Sequence, residues 1–267
     1  MSSIFGILLA LIAIGLGMIL KGAPLASLNN PAAYLIIFGG TAAALFIAFP
    51  FRELKKFPKL LKIALFEPKL PSKAQQIARL VACAEIAKKE GFLALEEISE
   101  STEDPFFKKG LEMIIDGYDA EFIEEVLFDE VEAIGKRHRT GALIFTQAGT
   151  YAPTLGVLGA VVGLIAALGS LSEIDKIGHS IAAAFIATLL GIFSGYVLWH
   201  PLANKLKRLS LQEQELKQLI IEGLLSIYQG VMPSALEKKL TVHIPPSERE
   251  AYYEKVESEE VLEAKSA

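Results

Sequence analysis

The sequence has little of what enzymes, metal sites and disulfide scaffolds use. There is one cysteine, Cys83, among 267 residues, which excludes an internal disulfide and a metal site built from cysteine alone. The four histidines form no HExxH or similar pair, and there is no phosphate-binding loop, GxSxG elbow or glycine-rich dinucleotide loop. We therefore expect neither enzymatic activity nor a cofactor.

Charge is missing from four long apolar runs. Aspartate, glutamate, lysine and arginine are absent from residues 4–20, 32–49, 141–171 and 181–199. The chain is 52% hydrophobic with a mean hydropathy of +0.42, and about 20 apolar residues suffice to cross a bilayer. The runs predict four transmembrane helices. Run 4–20 lacks the basic start of a signal peptide, so we interpret it as a retained anchor.

The third run is too long for one membrane crossing. Its roughly 31 residues would make a helix of about 46 Å, against about 30 Å of hydrocarbon. Residues 119–139 have helical spacing and lead directly into it. The pattern predicts one long helix that continues into the cytoplasm.

Lysine and arginine predict the orientation in the membrane. The two outer loops carry only Lys21 and Lys176, whereas basic residues flank the opposite ends of the runs. These are Arg52, Lys55, Lys56, Lys59, Lys62, Lys136, Arg137, Arg139, Lys205, Lys207 and Arg208. We expect a multi-pass protein of the bacterial inner membrane with both termini in the cytoplasm.

These patterns predict an all-α membrane protein with a helical cytoplasmic insertion between spans 2 and 3. The domains are a transmembrane hairpin at 1–50, a cytoplasmic helical domain at 51–139, a second hairpin at 140–201, and a cytoplasmic helix with a polar tail at 202–267. Ser72 and Gln75 form a capping-box pattern at the start of one insertion helix. The tail, 246–267, is expected to be mobile.

The insertion carries a charged segment that allows two interpretations. Lys88, Lys89, Glu96 and Glu97 lie on or beside a predicted helix. They could form an ordinary solvated face, or an electrostatic docking surface for another protein.

Small residues recur every four positions in the third and fourth spans. Stripes such as these allow helices to approach closely in lipid. Because the stripes occupy more than one side of each helix, we infer an oligomer around a shared interior, with packing inside one chain as the alternative. The stripes are Ala152/Gly156/Ala160, Gly159/Gly163, Ala184/Thr188 and Ala187/Gly191/Gly195.

Pro153 interrupts the third span. It cannot donate a hydrogen bond to the Gly149 carbonyl, which tends to kink a helix. That carbonyl, with the Thr150, Thr154 and Thr188 hydroxyls, could line a wet path, although prolines are also tolerated in ordinary membrane helices.

An ion pathway normally needs an ionisable group in the membrane. Because the spans contain no carboxylate, either the chain moves no ions or a partner supplies the acid. His200, between Trp199 and Pro201, is the nearest titratable group, and we interpret it as an interfacial anchor.

Several segments resemble the MotA family of flagellar stator subunits. AGTYAPTLGVLGAVVGLIAALGSL and GHSIAAAFIATLLGIFSGYVLWHPLANKLKR are similar to its third and fourth spans. NNPAAYLIIFGGTAAALFIAFP resembles its second span, and AKKEGFLALEE resembles its charged cytoplasmic segment. The resemblance covers nearly the whole chain.

The resemblance implies partners and site residues. It implies a pentamer around two copies of MotB, which supplies a membrane aspartate and a peptidoglycan anchor. Lys88, in place of the family's arginine, Glu96 and the adjacent Glu97 would face the rotor protein FliG. The implied ion pathway includes Pro153, Thr154, Ala160, Thr188 and Pro201.

The coupling ion and the alternatives stay open at this point. Sodium-driven relatives carry a threonine where this chain has Ala160, which offers no side-chain oxygen, so the resemblance favours protons over sodium. The alternatives are an ExbB/TolQ-like energy-transducing channel subunit, a sodium-driven stator of the PomA/MotP type, and a passive membrane scaffold. The four predicted spans favour a stator over the ExbB/TolQ type, whose chains usually have three.

Overall fold

A computed structural model of the chain describes residues 2–169 and 174–254. Within these ranges the regular structure is helical and contains no strand, which confirms the predicted all-α class. The α-helices are α1 (Ser2–Leu20), α2 (Pro31–Tyr34), α3 (Gly40–Ala48), α4 (Phe51–Leu54), α5 (Phe57–Leu65), α6 (Lys73–Glu90), α7 (Glu96–Ser101), α8 (Pro105–Ile115), α9 (Ala120–Leu168), α10 (Ile174–Phe193), α11 (His200–Tyr228) and α12 (Pro233–Leu240).

Among the described residues, four helical stretches are long and apolar enough to cross a membrane, which confirms the four predicted spans. They are Ser2–Leu20, Leu25–Ala48, Ala120–Leu168 and Ile174–Tyr228. Two of them contain π-helical turns, at Leu35–Gly39 between α2 and α3 and at Ser194–Trp199 between α10 and α11. The sequence analysis did not predict these turns, which often occur at functional sites.

The third span is part of one uninterrupted helix. With 49 residues, α9 is about 74 Å long at 1.5 Å per residue. This confirms the predicted long helix. The fourth span also continues, through its π-helical turn, into α11.

The chain forms two compact units. The first consists of the residues up to Pro68 together with Lys136–Ser210, and it contains the apolar spans. The second consists of Lys69–Gly135 together with the described residues from Leu211 onward.

The second unit has its own hydrophobic core. Fully buried side chains include Phe106, Phe107, Leu111 and Leu127. α6 begins with the predicted capping box, in which the Ser72 hydroxyl accepts a hydrogen bond from the Gln75 backbone N–H at 3.1 Å. The core also contains Cys83, and burial raises the pKa of its thiol to about 11.

The beginning of the C-terminal tail differs from the expectation of mobility. Residues 246–254 are helical, and Tyr252 is only 7% exposed within the core of the second unit. Its hydroxyl donates a hydrogen bond to Glu237 Oε1 at 3.0 Å. Burial is the main cause that raises the pKa of Tyr252, and the Glu237 carboxylate is the second. Residues 255–267 lie outside the described residues.

Candidate functional site

The third and fourth spans touch through their backbones. A methyl group placed on Gly156 would lie 2.8 Å from Gly191 Cα, and one placed on Gly191 would lie 2.7 Å from Gly156 Cα. Ordinary carbon contacts are about 3.5–4.0 Å. Only glycine therefore permits this approach of α9 to α10.

The same contact continues along the stripe of small residues. A methyl group on Gly159 would lie 3.2 Å from Ala187 Cβ, and one on Gly163 would lie 3.1 Å from Ala184 Cβ. The stripes predicted an oligomer, with packing inside one chain as the alternative. The structure uses the faces of Gly156, Gly159 and Gly163 for packing inside the chain, so these contacts do not by themselves indicate an oligomer.

Pro153 packs against the π-helical turn of the fourth span. A methyl group on Gly195 would lie 2.5 Å from Pro153 Cγ and 2.7 Å from the Gly149 carbonyl oxygen. The carbonyl that the proline frees is therefore covered by Gly195. Its contribution to a wet path stays a prediction.

His200 and Pro201 lie next to the same position. The His200 ring covers Gly149, where a methyl group would lie 2.8 Å from His200 Cδ2. Pro201 lines a cavity of about 440 Å³ that Tyr196 and Lys205 also line. Pro153 and Pro201, which the resemblance assigns to the ion pathway, thus flank one Gly149–His200 contact.

The threonines of the candidate pathway use their hydroxyl protons within their own helices. Thr150 donates to the Thr146 carbonyl at 3.1 Å, Thr154 donates to the Thr150 carbonyl at 3.3 Å, and Thr188 donates to the Ala184 carbonyl at 3.3 Å. Thr150 and Thr154 are exposed and Thr188 is half-buried. Their free lone pairs can accept a hydrogen bond or coordinate a cation. Half-buried Ala160 offers no such oxygen.

Lys205 anchors a polar network that the sequence analysis missed. Its Nζ lies 2.5 Å from Glu67 Oε1 and donates to Ser3 Oγ at 2.6 Å and Ser2 Oγ at 3.2 Å. The Lys205 ammonium holds the pKa of Glu67 below its usual range. The network joins the starts of α1 and α11 to the segment after α5. No local pattern reveals it, because its members are far apart in the sequence.

The charged segment of the second unit is exposed. Lys88 lies in the last turn of α6, and Glu96 and Glu97 lie in the first turn of α7. Gly91, with φ of +85°, makes the bend between these helices. The charges also suit the helix dipoles, so their placement fits a structural role as well as a docking role.

Comparison with known proteins gives a consistent result. Residues 4–91 match the motility protein A N-terminal family, and residues 98–218 match the MotA/TolQ/ExbB proton channel family. The chain is 51% identical over 258 residues to motility protein A of Bacillus subtilis, covering 97% of this chain and 96% of that protein.

The chain belongs to the motility protein A family. This confirms the resemblance, and the match over residues 4–91 favours the family over the ExbB/TolQ alternative. The family is one of membrane channel subunits, and the four apolar helices make this chain a membrane protein.

Two solved structures resemble the chain closely. The flagellar MotAB stator complex from Bacillus subtilis matches with a TM-score of 0.89 and 52% identity, covering 93% of this chain and 98% of that chain. MotAB of C. jejuni matches with a TM-score of 0.87 and 31% identity, covering 92% of this chain and 96% of that chain.

Proposed function

We propose that the chain is an ion-conducting stator subunit of the bacterial flagellar motor. In a complex with a MotB-type partner, it converts ion flow into torque on the rotor. The observation that carries this proposal is the match of 93% of the chain to a subunit of a flagellar stator complex, with a TM-score of 0.89.

The missing carboxylate explains the need for the partner. The four apolar runs (4–20, 32–49, 141–171 and 181–199) contain no acidic residue, and the partner's membrane aspartate supplies the ion-binding group. We propose five copies of this chain around two copies of the partner, which is anchored to peptidoglycan. A charge at the centre of a span costs roughly 3 kcal/mol, and an arriving ion removes that cost by neutralising the aspartate.

The packing of α9 on α10 suits a moving ring. Their glycine-mediated contact makes a close helix pair, with Pro153 and Thr188 on the two helices. In our proposal, neutralisation of the aspartate changes the fit of the partner helix within the ring. The ring then steps around the anchored partner, driven by about 2.3 kcal/mol per charge per 100 mV.

Deletion of the gene tests the proposal. A strain that lacks this chain and every other MotA-type gene should assemble filaments but fail to spread in soft agar. Expression of this chain with its partner should restore spreading. Normal swimming without the chain would contradict the proposal, whereas loss of filaments would point to assembly of the flagellum instead.

Protons are the proposed coupling ion. Because Ala160 offers no oxygen to a dehydrated sodium ion, replacement of sodium by potassium should leave swimming speed within about 20% of its starting value, whereas a protonophore should stop swimming. Speed that follows the sodium concentration would contradict this part of the proposal and favour the sodium-driven alternative.

We further propose that both termini and the second unit are cytoplasmic. In intact cells, a membrane-impermeant maleimide should label Lys21→Cys in an outer loop but should label Glu100→Cys only after permeabilisation. Cys83 should add no background, because at a pKa of about 11 fewer than about one thiol in a thousand is ionised at neutral pH. Labelling of Glu100→Cys in intact cells would contradict the topology.

Lys88 and Glu96 are the proposed contacts with the rotor protein FliG. Lys88→Glu should reduce swimming several-fold because it reverses an exposed charge, and Lys88→Arg should retain swimming. Lys89→Glu is the matched control, since Lys89 is also an exposed neighbour, and its Nζ lies 4.0 Å from Glu85 Oε2. Equal losses from Lys88→Glu and Lys89→Glu would indicate a general charge effect and contradict a specific contact.

A further inference from the structure

An apolar cavity of about 310 Å³ lies in the first unit beside the second span. Phe38, Ala42 and Phe46 line it from the span, Leu54 and Phe57 line it from the following segment, and Trp199 lines it from the end of the fourth span. At about 30 Å³ for each group of the size of a water molecule, the cavity holds roughly ten such groups. This is enough for part of one hydrocarbon chain.

Two buried polar atoms beside this cavity have no hydrogen-bond partner among the described residues. They are the hydroxyl oxygen of Thr41, a residue only 3% exposed, and the indole nitrogen Nε1 of Trp199. Both residues line the cavity. Neither atom has accessible surface on the cavity, so an acceptor oxygen could reach it only after its side chain rotates. The cavity therefore presents apolar walls and suits a hydrocarbon chain.

Exposed cations follow the cavity along the chain. Lys55 and Lys56 lie between the lining residues Leu54 and Phe57, and Arg52 and Lys59 flank them. Within the described ranges, none of these four side chains forms an ion pair. On the side of the span, the apolar residues Ile47 and Leu35 are 89% and 74% exposed. Hydrocarbon against the apolar walls and an anion beside the lysines are the parts of one anionic phospholipid.

We propose that this cavity is a binding site for an anionic phospholipid of the cytoplasmic leaflet. One acyl chain occupies the cavity against its apolar walls. The phosphate lies beside Lys55 and Lys56, as basic segments beside membrane spans attract anionic lipids. Water would not match the apolar walls, and an apolar side chain of a second copy would leave the lysines without an anion.

The single tryptophan of the chain makes a direct test possible. Trp199 is the only tryptophan, so its fluorescence reports on this site alone. We would reconstitute the full chain in phosphatidylcholine vesicles and add phosphatidylglycerol with brominated acyl chains, which quench fluorescence on contact. Quenching should saturate at a few mole per cent of the brominated lipid. At equal mole fraction it should exceed quenching by brominated phosphatidylcholine at least threefold.

Three variants test the parts of the site. Ala42→Phe fills the cavity and should abolish the saturable quenching, whereas Ala43→Phe, at an exposed neighbour that does not line the cavity, should retain it. The double variant Lys55→Gln/Lys56→Gln should remove the preference for phosphatidylglycerol.

Two results would overturn the proposal. Quenching that grows in proportion to the brominated lipid, equally for both headgroups and for all variants, would show only bulk lipid contact. Absence of quenching by either lipid would show that protein closes the cavity, as a second copy of the chain would. Circular dichroism of Ala42→Phe and Ala43→Phe separates a filled cavity from a failure to fold.

Discussion

Gly156→Val should abolish swimming and prevent stable insertion of the α9–α10 pair. The first added carbon would lie 2.8 Å from Gly191 Cα and 2.9 Å from the Ala187 carbonyl oxygen. Overpacking typically costs about 1–3 kcal/mol when side chains can shift. Here the neighbours are backbone atoms, so the two helices must separate and we expect a loss at or above that range. Spreading in soft agar and the amount of chain in the membrane fraction measure the effect.

Gly17→Val is the control for this prediction. Gly17 also lies within a transmembrane helix, but a methyl group there would meet nothing within 4 Å. It should leave the membrane level and swimming near those of the parent. If the membrane level of Gly156→Val and the swimming of its cells matched those of Gly17→Val, the close backbone contact of the two spans would not be needed for insertion or function.

Pro153→Ala should leave the protein folded but reduce motor torque at least tenfold. Alanine restores the backbone N–H, which can then donate to the Gly149 carbonyl as in a regular helix. It also removes the ring that packs on Gly195. We expect the restored hydrogen bond and the lost ring contact to change the packing of α9 on α10 at the proposed pathway. Normal assembly with the partner, together with slow or no rotation of tethered cells, would confirm this separation of folding from function.

Pro31→Ala provides the matched proline control. Pro31 occupies the first turn of α2, where its missing N–H has no partner to lose. Tethered cells that carry Pro31→Ala should rotate at the speed of the parent. Equal torque from Pro153→Ala and the parent would remove Pro153 from the ion pathway. Failure of Pro153→Ala to accumulate would make its role structural.

The sequence predicts the four spans and the long α9 because each depends on local hydropathy and periodicity. The capping box at Ser72 is equally local, and it lies where predicted. Local patterns do not predict which helix packs against a stripe of small residues. The stripe of Gly156, Gly159 and Gly163 indicates close approach, but it does not say whether the neighbouring helix belongs to the same chain.

The remaining discrepancies also come from contacts between distant residues. Lys205 meets Glu67, Ser2 and Ser3 only after the first unit has folded. The polar composition of 246–254 indicated mobility, but Tyr252 packs into the core of the second unit and forms a hydrogen bond with Glu237. The π-helical turn Ser194–Trp199 packs against Pro153 through its own Gly195, and it has no signature in the local pattern.

Rotation of single tethered cells during induced expression tests the central proposal most directly. The strain would lack every MotA-type gene and would express this chain with its partner from an inducible promoter. We predict no rotation before induction, followed by a rise in speed through discrete increments as stator units join the motor, and an immediate stop when a protonophore collapses the ion gradient. Filament-bearing cells that rotate at full speed without this chain, or that stay still after both proteins reach the membrane, would contradict it.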